Sequence, residues 1–130
     1  MTLPDAPTPA LADPELVLAP VMARAGGGGV SVGPGWYALV AALDRDLAVV
    51  DPGYALFQCK EKFGGLRYYW DPSDPALREE GERLVRAAEA LAGRTCEQCG
   101  GPGSADVSRR WIVTLCGPCR DADRARRAGS

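Results

Sequence analysis

Cys96-Glu97-Gln98-Cys99 and, sixteen residues further on, Cys116-Gly117-Pro118-Cys119 are the two stretches that decide the fold of the C-terminal part of this chain. A Cys-x-x-Cys turn directs two thiolates at one ion, and a second pair carried up by a hairpin completes a tetrahedron of four sulfur atoms. Soft thiolate ligands in that geometry favour zinc, with iron as the main competitor. The spacing therefore predicts a zinc ribbon, with a structural Zn²⁺ bound by Cys96, Cys99, Cys116 and Cys119.

The residues around the two motifs agree with a ribbon. Gly100-Gly101-Pro102-Gly103 gives the chain a tight exit from the first pair, and the β-rich run 111–115 leads into the second. Four sulfur ligands leave no open coordination position for water or substrate, so the predicted site is structural rather than catalytic. The spacing alone leaves three alternatives open, which are two disulfides, a redox-active dithiol pair, and free structural cysteines.

Length and composition limit the classes of function. The chain has 130 residues, with 17 acidic and 15 basic side chains, and no histidine. The lack of histidine removes the commonest general base and every Cys/His or Ser/His/Asp arrangement. This length fits one domain, or one domain with a small ribbon. Paired cysteines without a recognisable secretory signal predict a cytoplasmic protein, and no segment approaches the length of a membrane span.

Composition divides the chain into three parts. Residues 1–33 are rich in proline, alanine and glycine, and we expect a flexible segment there, apart from one short turn around Glu15 to Met22. The run Gly26–Gly29 reads as a linker, because no Gly-Lys-Ser/Thr follows it as a phosphate loop requires. Residues 34–93 form the predicted core, and residues 94–130 the zinc ribbon with a basic C-terminal tail.

The core begins with a predicted amphipathic helix. Pro34-Gly35 opens it, and Asp51-Pro52-Gly53 ends it with turn chemistry. The side chains of Asp44, Arg45 and Asp46 are expected to face the solvent. The apolar stripe at spacings of three and four residues consists of Trp36, Leu39, Val40, Leu43, Leu47 and Val50.

A β-hairpin is predicted next, around Gly64-Gly65. A two-residue turn at these glycines pairs Phe63 with Leu66, and the alternation then separates two faces. One face is apolar and suits the core, with Phe57, Cys59, Phe63, Leu66, Tyr68 and Trp70. Glu61 falls on that face and needs a partner or an edge position. The other face is basic and is a candidate partner surface, with Lys60, Lys62, Arg67 and Tyr69 beside Gln58.

A second helix follows, with Asp74 as its N-cap, Pro75 at its first position and Gly93 at its end. It is a candidate acidic partner surface through Glu79, Glu80, Glu82 and Glu89. The chain then passes through Arg94-Thr95 directly into the ribbon, so helix and ribbon should be docked together. The predicted fold class is α+β, with the order helix, β-hairpin, helix and zinc ribbon.

Three blocks of this chain have a further significance. They are Gly35-Trp36-Tyr37, the block Lys60-Glu61-Lys62-Phe63-Gly64-Gly65-Leu66-Arg67-Tyr68, and Arg94-Thr95-Cys96-x-x-Cys99-Gly100 with the later Trp111 and Thr114-Leu115-Cys116. Taken together over residues 34–119, they resemble a family of small, largely uncharacterised bacterial and phage-associated proteins. Some small proteins of this sort resemble immunity proteins encoded beside toxins. The resemblance also implies a late histidine ligand, where this chain has Cys119.

Three functions follow as hypotheses. The first is a non-catalytic, zinc-stabilised binding protein, most concretely an immunity protein that occludes a bacterial toxin. The alternative is a zinc-ribbon protein that binds nucleic acid through the basic hairpin face, although a net charge of -2 counts against it. An enzyme is disfavoured, because no catalytic set, cofactor motif or small-molecule site is evident, and Cys59 has no base within reach.

Overall fold

The structure of this chain, a computed structural model, describes residues 13–26, 29–108 and 110–129. Helices and strands are both present, and the fold class is α+β as predicted. Short 3-10 turns at Pro34–Trp36 and Pro75–Leu77 lead into the third and fourth helices. The elements in chain order are α1 (Pro14–Val17), α2 (Ala19–Arg24), β1 (Val30–Ser31), α3 (Tyr37–Val50), β2 (Ala55–Lys62), β3 (Gly65–Asp71), α4 (Arg78–Ala92), β4 (Ser104–Asp106), β5 (Val113–Leu115) and α5 (Gly117–Ala128).

A three-stranded sheet and the helices α3 and α4 enclose the core. The strands lie in the order β1-β2-β3, with β1 parallel and β3 antiparallel to β2. Trp36, Leu47, Leu66 and Val85 are among the most deeply buried side chains. Gly81 of α4 is needed here, because a Cβ at this position would lie 2.3 Å from the ring of Trp70. Strand β3 and helix α4 therefore pack closely at that point.

The N-terminal segment is packed against the core where the structure describes it. This corrects the expectation of flexibility for residues 13–26 and 29–33, apart from the region around Glu15 to Met22, where a short turn was expected and two short helices form. Leu18 and Val21 are buried in the core, and Val30 pairs with Cys59 of β2. Apolar side chains on two short helices thus cover one end of the core. The remainder of the predicted segment, residues 1–12 and 27–28, lies outside the described residues.

Asp44 is buried, and the expectation that it faces the solvent was wrong. Its side chain accepts hydrogen bonds from Tyr54 at 2.5 Å and from Arg24 at 2.7 Å, and the hydroxyl groups of Tyr54 and Tyr68 lie 2.6 Å apart. The Arg24 guanidinium also lies over the Tyr54 ring, 4.2 Å from its centroid. This partnered carboxylate sits on the buried face of α3, where an unpaired one would be costly.

The hairpin forms as predicted, but its turn lies one residue earlier, so Leu66 pairs with Glu61 instead of Phe63. Lys62 pairs with Gly65, so the two turn residues are Phe63 and Gly64 instead of Gly64 and Gly65. Both have positive φ, 55° and 81°, as a type I′ turn requires. Glu61 finds its partner in this turn, because its carboxylate accepts the Gly64 N–H at 2.8 Å.

Two aromatic side chains assigned to the core are exposed. Phe63 points outward from the turn with 69% of its surface exposed, and Phe57 lies at a bulge with 63% exposed. The bulge between Leu56 and Gln58 shifts the alternation, which is why counting alternate residues misplaced Phe57. The remaining apolar residues of that face, Cys59, Leu66, Tyr68 and Trp70, are buried as predicted.

The ribbon is the antiparallel pair β4 and β5 followed by α5. Hydrogen bonds join it to the core near the start of α3 and at the hairpin turn. The indole N–H of Trp36 donates to the Thr95 carbonyl at 2.8 Å, and the Thr114 hydroxyl donates to the Gly64 carbonyl at 2.6 Å. Across the described ranges, none of the helices is both long and apolar enough to cross a bilayer.

Candidate metal centre and partner surfaces

The side chains of Cys96, Cys99, Cys116 and Cys119 converge on one point. Their Sγ atoms all lie within 4.8 Å of one another, and the Cys99 and Cys116 sulfur atoms are 3.7 Å apart. A tetrahedral zinc site with Zn–S bonds of about 2.3 Å places its sulfur atoms about 3.8 Å apart. The four cysteines could therefore hold one metal ion without rearrangement of the backbone.

The same distances bear on the alternatives. A disulfide needs sulfur atoms about 2.05 Å apart, and all five cysteines of the chain have free thiols. The geometry thus favours a shared ion over two crosslinks. Four sulfur ligands would also close the coordination sphere, which suits a structural role.

Backbone amide groups fix the two cysteine turns. The Cys99 N–H points to the Cys96 sulfur at 3.4 Å, and the Cys119 N–H points to the Cys116 sulfur at the same distance. Cys116 is at the same time the N-cap of α5. Amide donors aimed at sulfur stabilise thiolates, so each turn is prepared to hold negative charge.

The thiol pKa values reflect these surroundings. Burial opposes ionisation of Cys96, but the N–H groups of Cys99, Cys116 and Gln98 outweigh it and lower the pKa of Cys96 to about 7. Burial and the neighbouring sulfur atoms raise the pKa of Cys119. Thiols this close together do not readily ionise at the same time, because their negative charges repel each other. A bound cation offsets that repulsion.

The first cysteine turn packs tightly against the start of α3. The Gly35 N–H donates to the Glu97 carbonyl at 2.7 Å, and the Gly33 N–H donates to the Glu97 carboxylate at 2.8 Å. A Cβ on Gly35 would lie only 2.1 Å from the Cys96 carbonyl oxygen. The approach of these two segments therefore requires glycine at position 35.

The basic hairpin face predicted from the sequence lies on the solvent side of the sheet. Lys60 and Arg67 are paired across β2 and β3, and Lys62 and Tyr69 are exposed beside them. The Lys60 ammonium lies 5.9 Å from the centroid of the Tyr69 ring. The four residues thus share one surface, as the alternation indicated.

The predicted acidic helix surface is divided in the structure. Glu79 and Glu80 are exposed, whereas Glu82 accepts the Trp70 indole N–H at 3.1 Å and Glu89 accepts the Tyr68 backbone N–H at 3.3 Å. Burial raises the pKa of Glu89. The sequence contained a signal for this division, because Glu82 and Glu89 lie on the same helical face as the buried Val85.

Residues from both predicted surfaces meet in a groove of about 600 Å³ between β3 and α4. The hairpin contributes Lys62, Arg67 and Tyr69, and the helix contributes Glu82 and Glu89. Arg78 and Arg86 of α4 also line this groove, although sequence reasoning gave them no role. Lys60, Glu79 and Glu80 lie outside it.

A second concave surface lies at the tip of the hairpin and has mainly apolar walls. Phe63 and Trp111, which is 70% exposed, line it together with Ile112. Its charged rim is formed by Glu61, Lys62 and Arg110. Sequence reasoning missed this surface because Phe63 was assigned to the core.

Three buried titratable groups outside the four-cysteine cluster, Cys59, Tyr54 and Tyr68, are explained by packing. Burial raises the pKa of Cys59 to about 12, which is the inert behaviour expected from its position. Burial also raises the pKa values of Tyr54 and Tyr68, whose hydroxyl groups belong to the Asp44 network. These groups help to hold the core.

Comparisons of the chain with protein-family models, with curated proteins and with solved structures found no match. The function must therefore be argued from the residues and surfaces described above.

Proposed function

We propose that this chain is a non-catalytic binding protein whose C-terminal part is held together by one structural zinc ion. The observation that carries the proposal is the cluster of four Sγ atoms within 4.8 Å of one another. Zinc is the metal that most often fills closed four-thiolate sites of this kind. Such a site requires reduced cysteines, so we place the protein in the cytoplasm.

Metal analysis of the purified protein tests the zinc proposal. We expect one zinc per chain, and Cys116→Ser, with one ligand lost, should bind it far more weakly. Cys59→Ser is the matched control, because this buried cysteine lies outside the cluster and should keep the full zinc content. One iron per chain, or a chain folded equally well after chelation, would contradict a structural zinc.

The partner that we propose is a protein, and more narrowly a bacterial toxin whose active cleft this chain covers. The toxin is suggested by the sequence resemblance to immunity proteins. A protein is favoured over nucleic acid because the cations of the tail are already engaged within the chain and are less available to phosphates. Arg120 lies 3.7 Å from Asp106, Arg127 pairs with Asp123 at 3.0 Å, and Arg124 donates to Ser108.

Nucleic acid is the second candidate partner, and one observation favours it. The ammonium groups of Lys60 and Lys62 lie 5.9 Å and 5.6 Å from the rings of Tyr69 and Phe63, so cations and exposed aromatic rings alternate on the hairpin. Surfaces of this kind can stack bases and contact phosphates. The tail arginines would add less to phosphate binding, because their charges already face acidic or polar side chains.

Purification of the tagged chain from its own cells, with and without nuclease, distinguishes the two. A stoichiometric protein that remains after nuclease treatment supports the protein partner. Nucleic acid released by added salt supports the second candidate and contradicts the first. If the retained protein is a toxin, adding purified chain should abolish its activity, and an unchanged activity would contradict the immunity role.

A further inference from the structure

Strand β3 has a free edge. The sheet order is β1-β2-β3, so only β2 pairs with β3 among the described strands. The Tyr68 N–H donates to Glu89 of α4 at 3.3 Å, which shows that this amide points away from β2. Because amide direction alternates along an antiparallel strand, the amides of Leu66 and Trp70 point the same way.

The groove between β3 and α4 lies along this free edge. Its walls include Arg67 and Tyr69 from the outer face of the hairpin, together with Tyr68 and Trp70 from the inner face. Val85 and Arg86 line it from α4. Residues from both faces of β3 thus line one cavity. Such a cavity lies beside the edge of the strand, where the next strand of the sheet would pair.

We propose that this groove binds an extended, acidic segment of a partner protein, which adds to β3 as a fourth strand. The inference rests on the proposed function, since it specifies how a macromolecular partner is held. Main-chain hydrogen bonds would supply affinity in this binding mode, and side chains on alternate positions would supply specificity. A segment of about seven residues, at about 3.3 Å per residue, would match the length of β3.

The charges around the groove indicate the chemistry of that segment. Four cations line it, namely Lys62, Arg67, Arg78 and Arg86. The two carboxylates in the lining, Glu82 and Glu89, are bonded to Trp70 and to the Tyr68 backbone. Arg78 is paired with Asp71, which leaves three cations, Lys62, Arg67 and Arg86, against these two carboxylates. This excess of positive charge complements carboxylates on an incoming strand.

Glu89 occupies the position that a partner carbonyl would take. Its carboxylate covers the Tyr68 amide and so keeps the free edge from pairing with other exposed strands. An incoming strand would displace this contact and offer a carbonyl oxygen to the same amide. Replacing Glu89 by alanine should therefore strengthen binding severalfold, and a weaker complex would overturn this assignment.

Amide hydrogen exchange of the zinc-loaded chain tests the proposal. The probe is the capped hexapeptide Glu-Val-Glu-Val-Glu-Val, and Lys-Val-Lys-Val-Lys-Val is the control. We expect the acidic peptide to slow exchange of the Leu66 and Trp70 amides by about tenfold or more, because they gain hydrogen bonds. The basic peptide should leave both unchanged. Equal protection by both peptides, or by neither, would overturn the proposal.

Charge reversal provides an independent readout. The double variant Arg67→Glu and Arg86→Glu should weaken binding of the acidic peptide by about tenfold, because like charges then face each other. The matched control is Arg45→Glu and Arg83→Glu, which changes the net charge equally at two exposed positions outside the groove. Equal losses in the two variants would show a general charge effect and overturn the assignment of the groove.

The same experiment separates this inference from the proposed function. A purified protein partner that binds but protects only amides elsewhere, such as those around Trp111, overturns the groove and leaves a binding protein. Oligothymidylate that binds more tightly than the acidic peptide and displaces it overturns both the groove and the protein partner.

Discussion

Gly35 shows how a single residue joins the two halves of this molecule. Its missing side chain lets the start of α3 lie directly on the first cysteine turn, where its N–H meets the Glu97 carbonyl. A Cβ would come within 2.1 Å of the Cys96 carbonyl oxygen and 2.6 Å of the Gly100 nitrogen. Both obstacles are backbone atoms, so they cannot move aside as a flexible side chain would.

Gly35→Ala is therefore expected to destabilise the zinc-loaded chain by about 2 kcal/mol, as overpacked sites do. Zinc should also dissociate more easily, because the first cysteine turn must shift. Urea unfolding and competition with a chromogenic chelator measure the two effects. Gly117→Ala is the matched control, since a Cβ there meets nothing within 4 Å. A Gly35→Ala chain as stable as the control would contradict this packing.

Arg24 is the second residue with a testable role, because it neutralises a buried carboxylate. The Asp44 side chain is almost completely buried, and Arg24 is the cation bonded to it. Arg24→Ala should cost about 3 kcal/mol, as breaking a buried pair leaves an uncompensated charge. Chemical denaturation measures the loss, and the exposed Arg45→Ala should change stability by less than about 0.5 kcal/mol. A small effect of Arg24→Ala would mean that Tyr54 alone satisfies Asp44.

The sequence could not reveal this pair. Arg24 precedes a run of glycines in a segment without apolar periodicity, and Asp44 lies between Leu43 and Leu47 among other charged residues. Pattern reasoning sorts residues by type, so an aspartate on a helix is assigned to the solvent. Only the tertiary arrangement places a cation from residue 24 beside it.

At the scale of the secondary-structure element, the hairpin has the two-residue turn that was expected, but one of the two turn residues is a phenylalanine instead of a glycine. Two adjacent glycines allowed two registers, and composition favoured the one with glycine at both turn positions. The structure uses Phe63 and Gly64, with φ of 55° at the phenylalanine. A bulky residue in this conformation is disfavoured, and its ring is exposed. Such a turn gives up some local stability, which is consistent with a contact role for Phe63.

Phe63→Asn should therefore stabilise the free protein by about 0.5 to 1 kcal/mol, because Asn-Gly suits a type I′ turn. Binding of the purified partner should weaken if the ring contributes to contact. Thermal melting and titration calorimetry measure the two changes. Gly64→Ala provides the opposite case and should destabilise the hairpin, since it combines φ of 81° with a Cβ 3.1 Å from Ile112. A less stable Phe63→Asn chain would contradict this account of the turn.

Hydrogen bonds between the end of α3 and the turn after β3 predict that the stability of the protein depends on pH. The Ser73 hydroxyl and N–H both donate to Asp51, at 2.6 and 2.8 Å, and these bonds hold the pKa of Asp51 below its ordinary value. A lowered folded-state pKa contributes stability at neutral pH, and that stability is lost as the pH falls through it. Ser73→Ala should therefore lower stability at pH 7, and its difference from the wild type should shrink in acid.

Urea unfolding of both proteins from neutral to acidic pH measures this difference. Release of zinc in acid affects both proteins alike, so the comparison isolates Asp51. A difference between the two proteins that stays constant down to strongly acidic pH would contradict the linkage.

At the scale of the whole molecule, the metal centre and the core form one unit. Trp36 and Gly35 contact the segment 95–97, and Thr114 reaches Gly64 in the hairpin turn. Removal of zinc should consequently loosen the start of α3 and the hairpin tip as well as the ribbon. Hydrogen exchange should be faster at the Trp36 indole N–H in the chelated protein. Exchange changes confined to residues 94–119 would show that the ribbon is independent.

The sequence predicted the parts of this molecule better than their assembly. Local spacing predicted the cysteine cluster, the two helices of the core and the basic hairpin face. The structure has each of them at the residues expected. The groove between β3 and α4 could not be predicted, because it depends on how α4 crosses the edge of the sheet at Gly81. The packing of residues 13–26 and 29–33 was missed for a similar reason, since the short helices there gain stability only from contact with the core.

The contact between Gly33 and Glu97 joins residues that are 64 positions apart, and it has a consequence for synthesis of the protein on the ribosome. The chain emerges from its N-terminal end, so the indole of Trp36 and the face of α3 around it are made long before Thr95 can cover them. Cys119, which completes the cluster, follows later still. For most of translation the nascent chain therefore displays apolar surface that it later buries, and such intermediates attract chaperones or aggregate. A shortage of zinc would prolong that exposed interval, so cells short of the metal should accumulate less of the protein even where its messenger RNA is unchanged.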